Sequence, residues 1–207
     1  SGTTGKPKGA MVEHRNFVNA AMAWRDEYKL NEFEVNLLQI AKFTFDVSIG
    51  DLTKALTNGG KLVICPKGDR YNIPKLYSII KERKISIIDT VPSLIIPLMD
   101  YIYEAGLSTE ALQLLIFGGD KCPLEDFKKL LCRYENKIRI VNGYGITEAT
   151  IESSYFEGKA DKMPNGGITP IGKPFHNIRY YILDSKLKLK PIGIPGELYI
   201  SGDCLGR

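Results

Sequence analysis

The sequence predicts an α/β protein: a mostly parallel sheet with flanking helices, followed by a small antiparallel β section. Three observations carry that expectation. Short apolar runs alternate with helical patterns from about residue 35 to residue 142. Repeated β–α–β–α units of that length favour parallel strands with helices packed against them. The last third keeps strands and turns but loses the helical pattern. The α/β part is expected over about residues 10–160 and the β-rich part over about 165–207, together one partial domain spanning 1–207.

In chain order, VNLLQIA (35–41), KLVIC (61–65), ISIIDTV (85–91), LQLLIFG (112–118) and KIRIVN (137–142) read as buried strands, being short and rich in Ile, Leu and Val. Helices are expected near 46–57, 74–83 and 93–105. Another is marked by Leu124, Phe127, Leu130, Leu131 and Tyr134, which recur at helical spacing, and Pro123 suits its first turn. MPNGG (163–167) and PIGIPG (191–196) are turn signals around the strand-like IRYYILD (178–184) and ELYIS (197–201).

Composition narrows the function. With 207 residues, 43% hydrophobic and 25% charged, the chain reads as soluble and globular. No apolar run approaches the roughly 20 residues that span a bilayer, so no membrane partner is expected. The net charge of +4 is mild and its lysines are scattered. Lys186, Lys188 and Lys190 read as the solvent face of a strand or turn, so no nucleic-acid partner is expected either. Cys65, Cys122, Cys132 and Cys204 form no CxxC pair and only His14 and His176 could assist them, which argues against zinc. They read as reduced thiols of a cytoplasmic protein. The chain opens inside a loop motif at Ser1 and stops at Gly206-Arg207, which reads as an internal piece of something longer.

Three motifs carry chemistry. In SGTTGKPKG (1–9), glycines let backbone amides approach an anion, the hydroxyls of Ser1, Thr3 and Thr4 can donate, and Lys8 adds charge. It is not a Walker loop, because two residues separate Gly2 from Gly5 and Pro7 follows Lys6. Composition alone also allows an ordinary flexible loop. NGYGITEAT (142–150) follows the strand KIRIVN, at the strand end where open α/β sheets place ligands. Tyr144 can offer a flat face to a base, Thr147 can donate to a phosphate, and Glu148 is a hard oxygen ligand suited to magnesium. A glycine turn with a solvated Glu is the plainer reading. In FDVSIGD (45–51), spacing alone makes Asp46 a helix N-cap.

Together, and with FGGD (117–120), IGKPFHN (171–177) and GELYISG (196–202) in the expected order, these motifs resemble the adenylate-forming (AMP-dependent synthetase and ligase) superfamily. Within it the chain resembles the adenylation domain of a nonribosomal peptide synthetase. One departure is Ile146, where the family usually has Pro.

The resemblance implies ATP-dependent activation of an amino acid as its aminoacyl-AMP, with Mg²⁺ on the phosphates. The product then passes to phosphopantetheine on a peptidyl carrier domain, with a condensation domain as neighbour. It implies that Ser1, Thr3, Thr4, Gly5 and Lys8 handle the outer phosphates. Gly118 and Gly119 would form the turn beside adenine, and Asn142, Tyr144 and Gly145 would hold the base. Thr147 would meet the α-phosphate and Glu148 the metal, with Lys8, Thr147 and Glu148 as the catalytic set. Asp46 would bind the substrate's α-ammonium, and Val47, Gly50, Asp89, Ile116, Gly118, Gly143, Ile151 and Glu152 would shape the side-chain pocket. Glycines 50, 118 and 143 leave room, while Asp89 and Glu152 are two carboxylates that want a cation. The expected substrate is therefore a basic amino acid such as ornithine, lysine or diaminobutyrate. A ribose-binding Asp and a C-terminal lysine of the family fall outside these residues, so the piece alone is expected to be inactive. An acyl- or aryl-CoA ligase, a stand-alone D-alanine-type enzyme and a non-catalytic nucleotide-binding module are the alternatives.

Overall fold

A computed structural model describes residues 9–207. Its main sheet has seven strands in the order β2-β1-β3-β4-β5-β6-β7. Strands β1 (Asn36–Gln39), β2 (Lys61–Ile64), β3 (Ile87–Thr90), β4 (Leu114–Phe117) and β5 (Arg139–Tyr144) run parallel. Strand β6 (Ser154–Phe156) pairs antiparallel with β5, and β7 (Lys173–Pro174) pairs antiparallel with β6 at the sheet edge. A separate antiparallel pair, β8 (Ile178–Leu183) and β9 (Glu197–Gly202), follows. The fold class is that read from the sequence.

Period-two alternation gives the sheet two buried faces. Leu38, Ile88, Leu115 and Ile140 join one cluster with α3 (Ile73–Glu82), α4 (Pro92–Glu104) and α5 (Leu124–Tyr134). Leu37, Ile87, Leu114, Ile116 and Val141 point the other way, toward α1 (His14–Glu27) and α2 (Val47–Leu56). Ile178 and Cys204 join this second cluster, so the β8–β9 section packs on the face that also carries α1 and α2.

Three differences from the sequence reading have physical causes. KLVIC is not a buried strand: β2 is a sheet edge, and Ile64 is 69% exposed. Pro123 is the N-cap of α5 rather than part of its first turn, with extended ψ of 136°. Helix α1 was not expected at all. Its buried face is Asn16, Ala20, Ala23 and Trp24, while Val18 and Met22 are exposed. Small and polar groups inside and large apolar ones outside erase the usual hydrophobic period. Its start is fixed by a reciprocal cap, the Asn16 Oδ1 accepting from the Glu13 N–H at 2.9 Å.

Candidate functional site

A cleft of about 510 Å³ opens at the carboxyl ends of β3, β4 and β5, where parallel sheets present their loops. Asp89, Gly118, Gly119 and Gly143 line it from the strand ends. Asp46 and Val47 line it from the start of α2, and Gly145, Thr147, Ile151 and Glu152 from the segment after β5. Ten candidates read from the sequence therefore meet in one cavity.

The glycines are required for different reasons. A Cβ on Gly118 would lie 2.4 Å from the Gly143 carbonyl oxygen, and one on Gly145 would lie 2.0 Å from the Ile151 carbonyl oxygen. Both contacts are with backbone, so these glycines permit close chain approach rather than leaving room for substrate. A Cβ on Gly143 would meet Glu152 Oε1 at 2.9 Å, inside the cleft. Gly50 is not a lining residue, and a Cβ there would make ordinary 3.5 Å contact with Ile151. The expectation that glycines 50 and 118 leave space for a long side chain is corrected accordingly.

Asp46 occupies the N-cap position of α2, yet its side chain makes no cap hydrogen bond. Its Oδ2 instead accepts from Thr147 Oγ1 at 2.6 Å, across the mouth of the cleft. Thr147 begins a short 3₁₀ turn, Thr147–Ala149, held by the β section: the Gly206 N–H donates to the Glu148 carbonyl at 2.9 Å, and Thr150 Oγ1 to the Cys204 carbonyl at 2.6 Å. Thr150 and Ile151 both have positive φ, 58° and 72°. Such a conformation in a β-branched residue is strained by about 1–3 kcal/mol. It turns the chain so that Ile151 and Glu152 reach the cleft.

The floor is charged. Asp89 and Glu152 are both buried, but they do not stand unpaired. Lys54 of α2, 0% exposed at its side chain, places Nζ 2.5 Å from Asp89 Oδ2 and 3.2 Å from Glu152 Oε2. The premise that both carboxylates await a substrate cation is thus corrected: the chain supplies one cation itself. Tyr28 donates to Glu152 Oε2 at 3.3 Å. Asp51, also fully buried, has neither oxygen hydrogen-bonded among the described residues. Burial and the neighbouring Asp89 push the Asp51 carboxyl well above its ordinary value. Burial also pushes Glu152 up to about 7, with Lys54 opposing and Asp89 reinforcing the rise. Burial would lower Lys54, but Asp89, Glu152 and Asp51 outweigh it and hold the ammonium above the ordinary lysine range.

Other candidates lie elsewhere. Asn142 does not face the cleft, because its Nδ2 donates to the Pro170 carbonyl at 2.9 Å. Tyr144 is half-buried and also off the lining, and Ile116 is fully buried in the core cluster behind it. Glu148 is exposed on the turn beside Thr147. Among the described residues, no group of three His, Cys, Asp or Glu comes together to cage a metal. One exposed carboxylate nevertheless suits Mg²⁺, which keeps waters and binds through one or two carboxylates and substrate phosphates. Ser1, Thr3, Thr4, Gly5 and Lys8 lie outside the described residues. Lys54 and Tyr71, which also lines the cleft, were missed. Helical spacing could have found the lysine, since Val47, Gly50, Asp51 and Lys54 fall on one face of α2.

No helix among the described residues is long and apolar enough to cross a membrane. A family model described as "AMP-binding enzyme" matches residues 1–207. Gramicidin S synthase 2 of Brevibacillus brevis is 51% identical over 207 residues, covering 100% of this chain and 5% of that protein. Tyrocidine synthase 3 of Brevibacillus parabrevis is 50% identical over 207 residues and 3% of its length is covered. The chain thus spans a small part of the relatives it matches. Among solved structures, a four-domain nonribosomal peptide synthetase, holo-AB3403 bound to AMP and glycine, superposes with a TM-score of 0.82 at 29% identity, over 98% of this chain and 14% of that one. The N-terminal subdomain of Klebsiella oxytoca NpsA, at 24% identity and a TM-score of 0.83, shares the fold.

Proposed function

The chain belongs to the AMP-binding enzyme family, and from that membership we propose that it forms part of an adenylation domain that activates an amino acid for peptide synthesis. The observation that carries the reading is Asp46. A carboxylate at a helix start, unused for capping and bonded to Thr147 in the cleft, suits a substrate ammonium better than a structural role. An acyl or aryl acid would offer it no such partner.

In the reaction, a carboxylate oxygen of the amino acid attacks the α-phosphorus of ATP. The bond from that phosphorus to the bridging oxygen breaks, and pyrophosphate leaves with the electron pair. No protein nucleophile or proton transfer is needed, so the residues act by positioning and by charge. Asp46 would fix the ammonium and so aim the carboxylate. Thr147, whose single hydroxyl proton goes to Asp46 before ligands arrive, would turn it to the α-phosphate once ATP is bound, and the Gly118–Gly119 turn would let the nucleotide approach the backbone. Glu148 would hold Mg²⁺, which when bound offsets phosphate charge. The sequence-read roles of Ser1, Thr3, Thr4, Gly5 and Lys8 toward the outer phosphates remain part of the proposal, as do the carrier-bound phosphopantetheine acceptor and a neighbouring condensation domain.

The substrate proposed is a basic amino acid. Asp51, Asp89 and Glu152 are three buried carboxyls around one lysine. Burial first, and the neighbouring Asp89 second, keep Glu152 protonated up to near neutrality despite Lys54. Its Oε1 borders the cleft, where the terminal ammonium of ornithine, lysine or diaminobutyrate would supply the missing cation.

The test is amino-acid-dependent exchange of pyrophosphate into ATP by the complete adenylation domain containing this chain. Asp46→Ala should abolish exchange while nucleotide binding survives. Near-parental exchange in that variant would remove Asp46 from the substrate site.

A further inference from the structure

The mechanism above gives Lys54 no task, yet its surroundings are specific. Nζ lies 4.7 Å from the centroid of the Trp24 ring and 5.9 Å from that of Tyr28, so two aromatic faces help hold a desolvated ammonium. Around it stand Asp51 from the same helix, Asp89 from β3, and Glu152 from the segment before β6. Tyr28, from the turn after α1, donates to Glu152, and Arg139 of β5 acts on Tyr28. The lysine takes Asp89 Oδ2 and Glu152 Oε2. Glu152 Oε1 is left beside Gly143 on the cleft side, with no hydrogen bond among the described residues.

We propose that Lys54 is a positioning residue for side-chain selection: a resident counter-ion that keeps Asp89 occupied and presents Glu152 to the substrate, so that the pocket takes up one positive charge and not two. The inference rests on the amino-acid-activating reading and its cationic side chain. Its physical basis is the crowding of three carboxyls in one buried site. Without the lysine they cannot all ionise, and protons replace the missing charge. Glu152 would then be neutral at pH 7 and would offer the incoming ammonium only a dipole. Raising the pH would restore its charge.

The experiment measures KM and kcat for ornithine and norvaline between pH 6 and 9 in the complete adenylation domain. It compares the parent, Lys54→Met, and Lys54→Met with Asp89→Asn. Lys54→Met should raise the ornithine KM about fivefold at pH 7, the loss of ionised Glu152 when its pKa rises one unit from about 7, with kcat changed far less. The deficit should shrink as pH rises. Adding Asp89→Asn should recover most of it at pH 7, because Glu152 then faces no adjacent like charge. A Lys54→Met enzyme with the parental pH profile would overturn the proposal. So would a loss of kcat and KM alike at every pH that Asp89→Asn does not relieve, or failure of both variants to fold, since each makes Lys54 a packing residue only. A parent that fails to favour ornithine over norvaline would sink the cationic-substrate reading and the role of Lys54 together. A parent that favours it, with an unmoved Lys54→Met, would remove the lysine's role alone.

Discussion

Thr147 Oγ1 donates to Asp46 Oδ2 at 2.6 Å, joining segments 101 positions apart in the chain. One residue comes from the motif read as nucleotide-binding and the other from the motif read as substrate-binding. The bond aligns Asp46 before any ligand arrives, so the two halves of the cleft are coupled.

Thr147→Val should therefore raise the KM for the amino acid as well as for ATP. An exposed hydrogen bond contributes about 1 kcal/mol, or roughly fivefold in affinity. Initial-rate kinetics with each substrate varied in turn will check this. A variant with altered ATP dependence and an unchanged amino-acid KM would show that the bond does not orient Asp46.

Gly118 and Gly50 make a contrasting pair. Gly118→Ala places a methyl group 2.4 Å from the Gly143 carbonyl oxygen, which is backbone between paired strands and cannot step aside. Stability should fall by about 3 kcal/mol, the upper range for overpacking. Gly50→Ala meets only ordinary contacts at 3.5 Å and more, and Ala is favoured over Gly within a helix. Its stability should hold or rise slightly. Urea unfolding of both variants is the measurement, and equal losses would contradict the geometry.

Asp51 predicts a pH dependence with a definite sign. Its folded-state pKa is raised above the ordinary 3.8 by burial first and by Asp89 second. The native state therefore binds more protons than the unfolded one above that value, and stability falls as pH rises. Asp51→Asn mimics the protonated acid and removes this dependence. The variant should gain on the parent between pH 5 and 7, by up to about 1.4 kcal/mol per pH unit. A parent that gains on the variant over that interval would show that Asp51 is ionised and paired.

Much of the fold was legible because its core strands and α2 to α5 follow simple periods. Leu38 and Leu37 alternate between faces, and α5 repeats Leu124, Phe127 and Leu131 on one side. Helix α1 was hidden because Asn16 is buried by a bond to the Asp203 carbonyl, a contact 187 positions away that local pattern does not record. Motif residues such as Asp46, Gly118 and Thr147 were legible as a set, since each motif sits at a strand or helix end. Lys54 was not, because a lysine on a helix is ordinarily solvated and only tertiary packing brings Asp89 and Glu152 to it. Asn142 was assigned to the base because its position matched. Its amide is committed instead to Pro170, in a segment without helical or strand pattern.

The central claim, that the cleft activates an amino acid carrying a second positive charge, is tested most directly by pyrophosphate exchange with a size-matched pair. Ornithine and norvaline differ at the side-chain terminus by the amine alone. A charge-assisted contact to Glu152, at about 1.5–3 kcal/mol, corresponds to a preference of more than tenfold for ornithine in kcat/KM. The account predicts that preference in the complete adenylation domain at pH 7.5, and its collapse in Glu152→Gln. Exchange that ranks norvaline, leucine or phenylalanine above every diamino acid would contradict it.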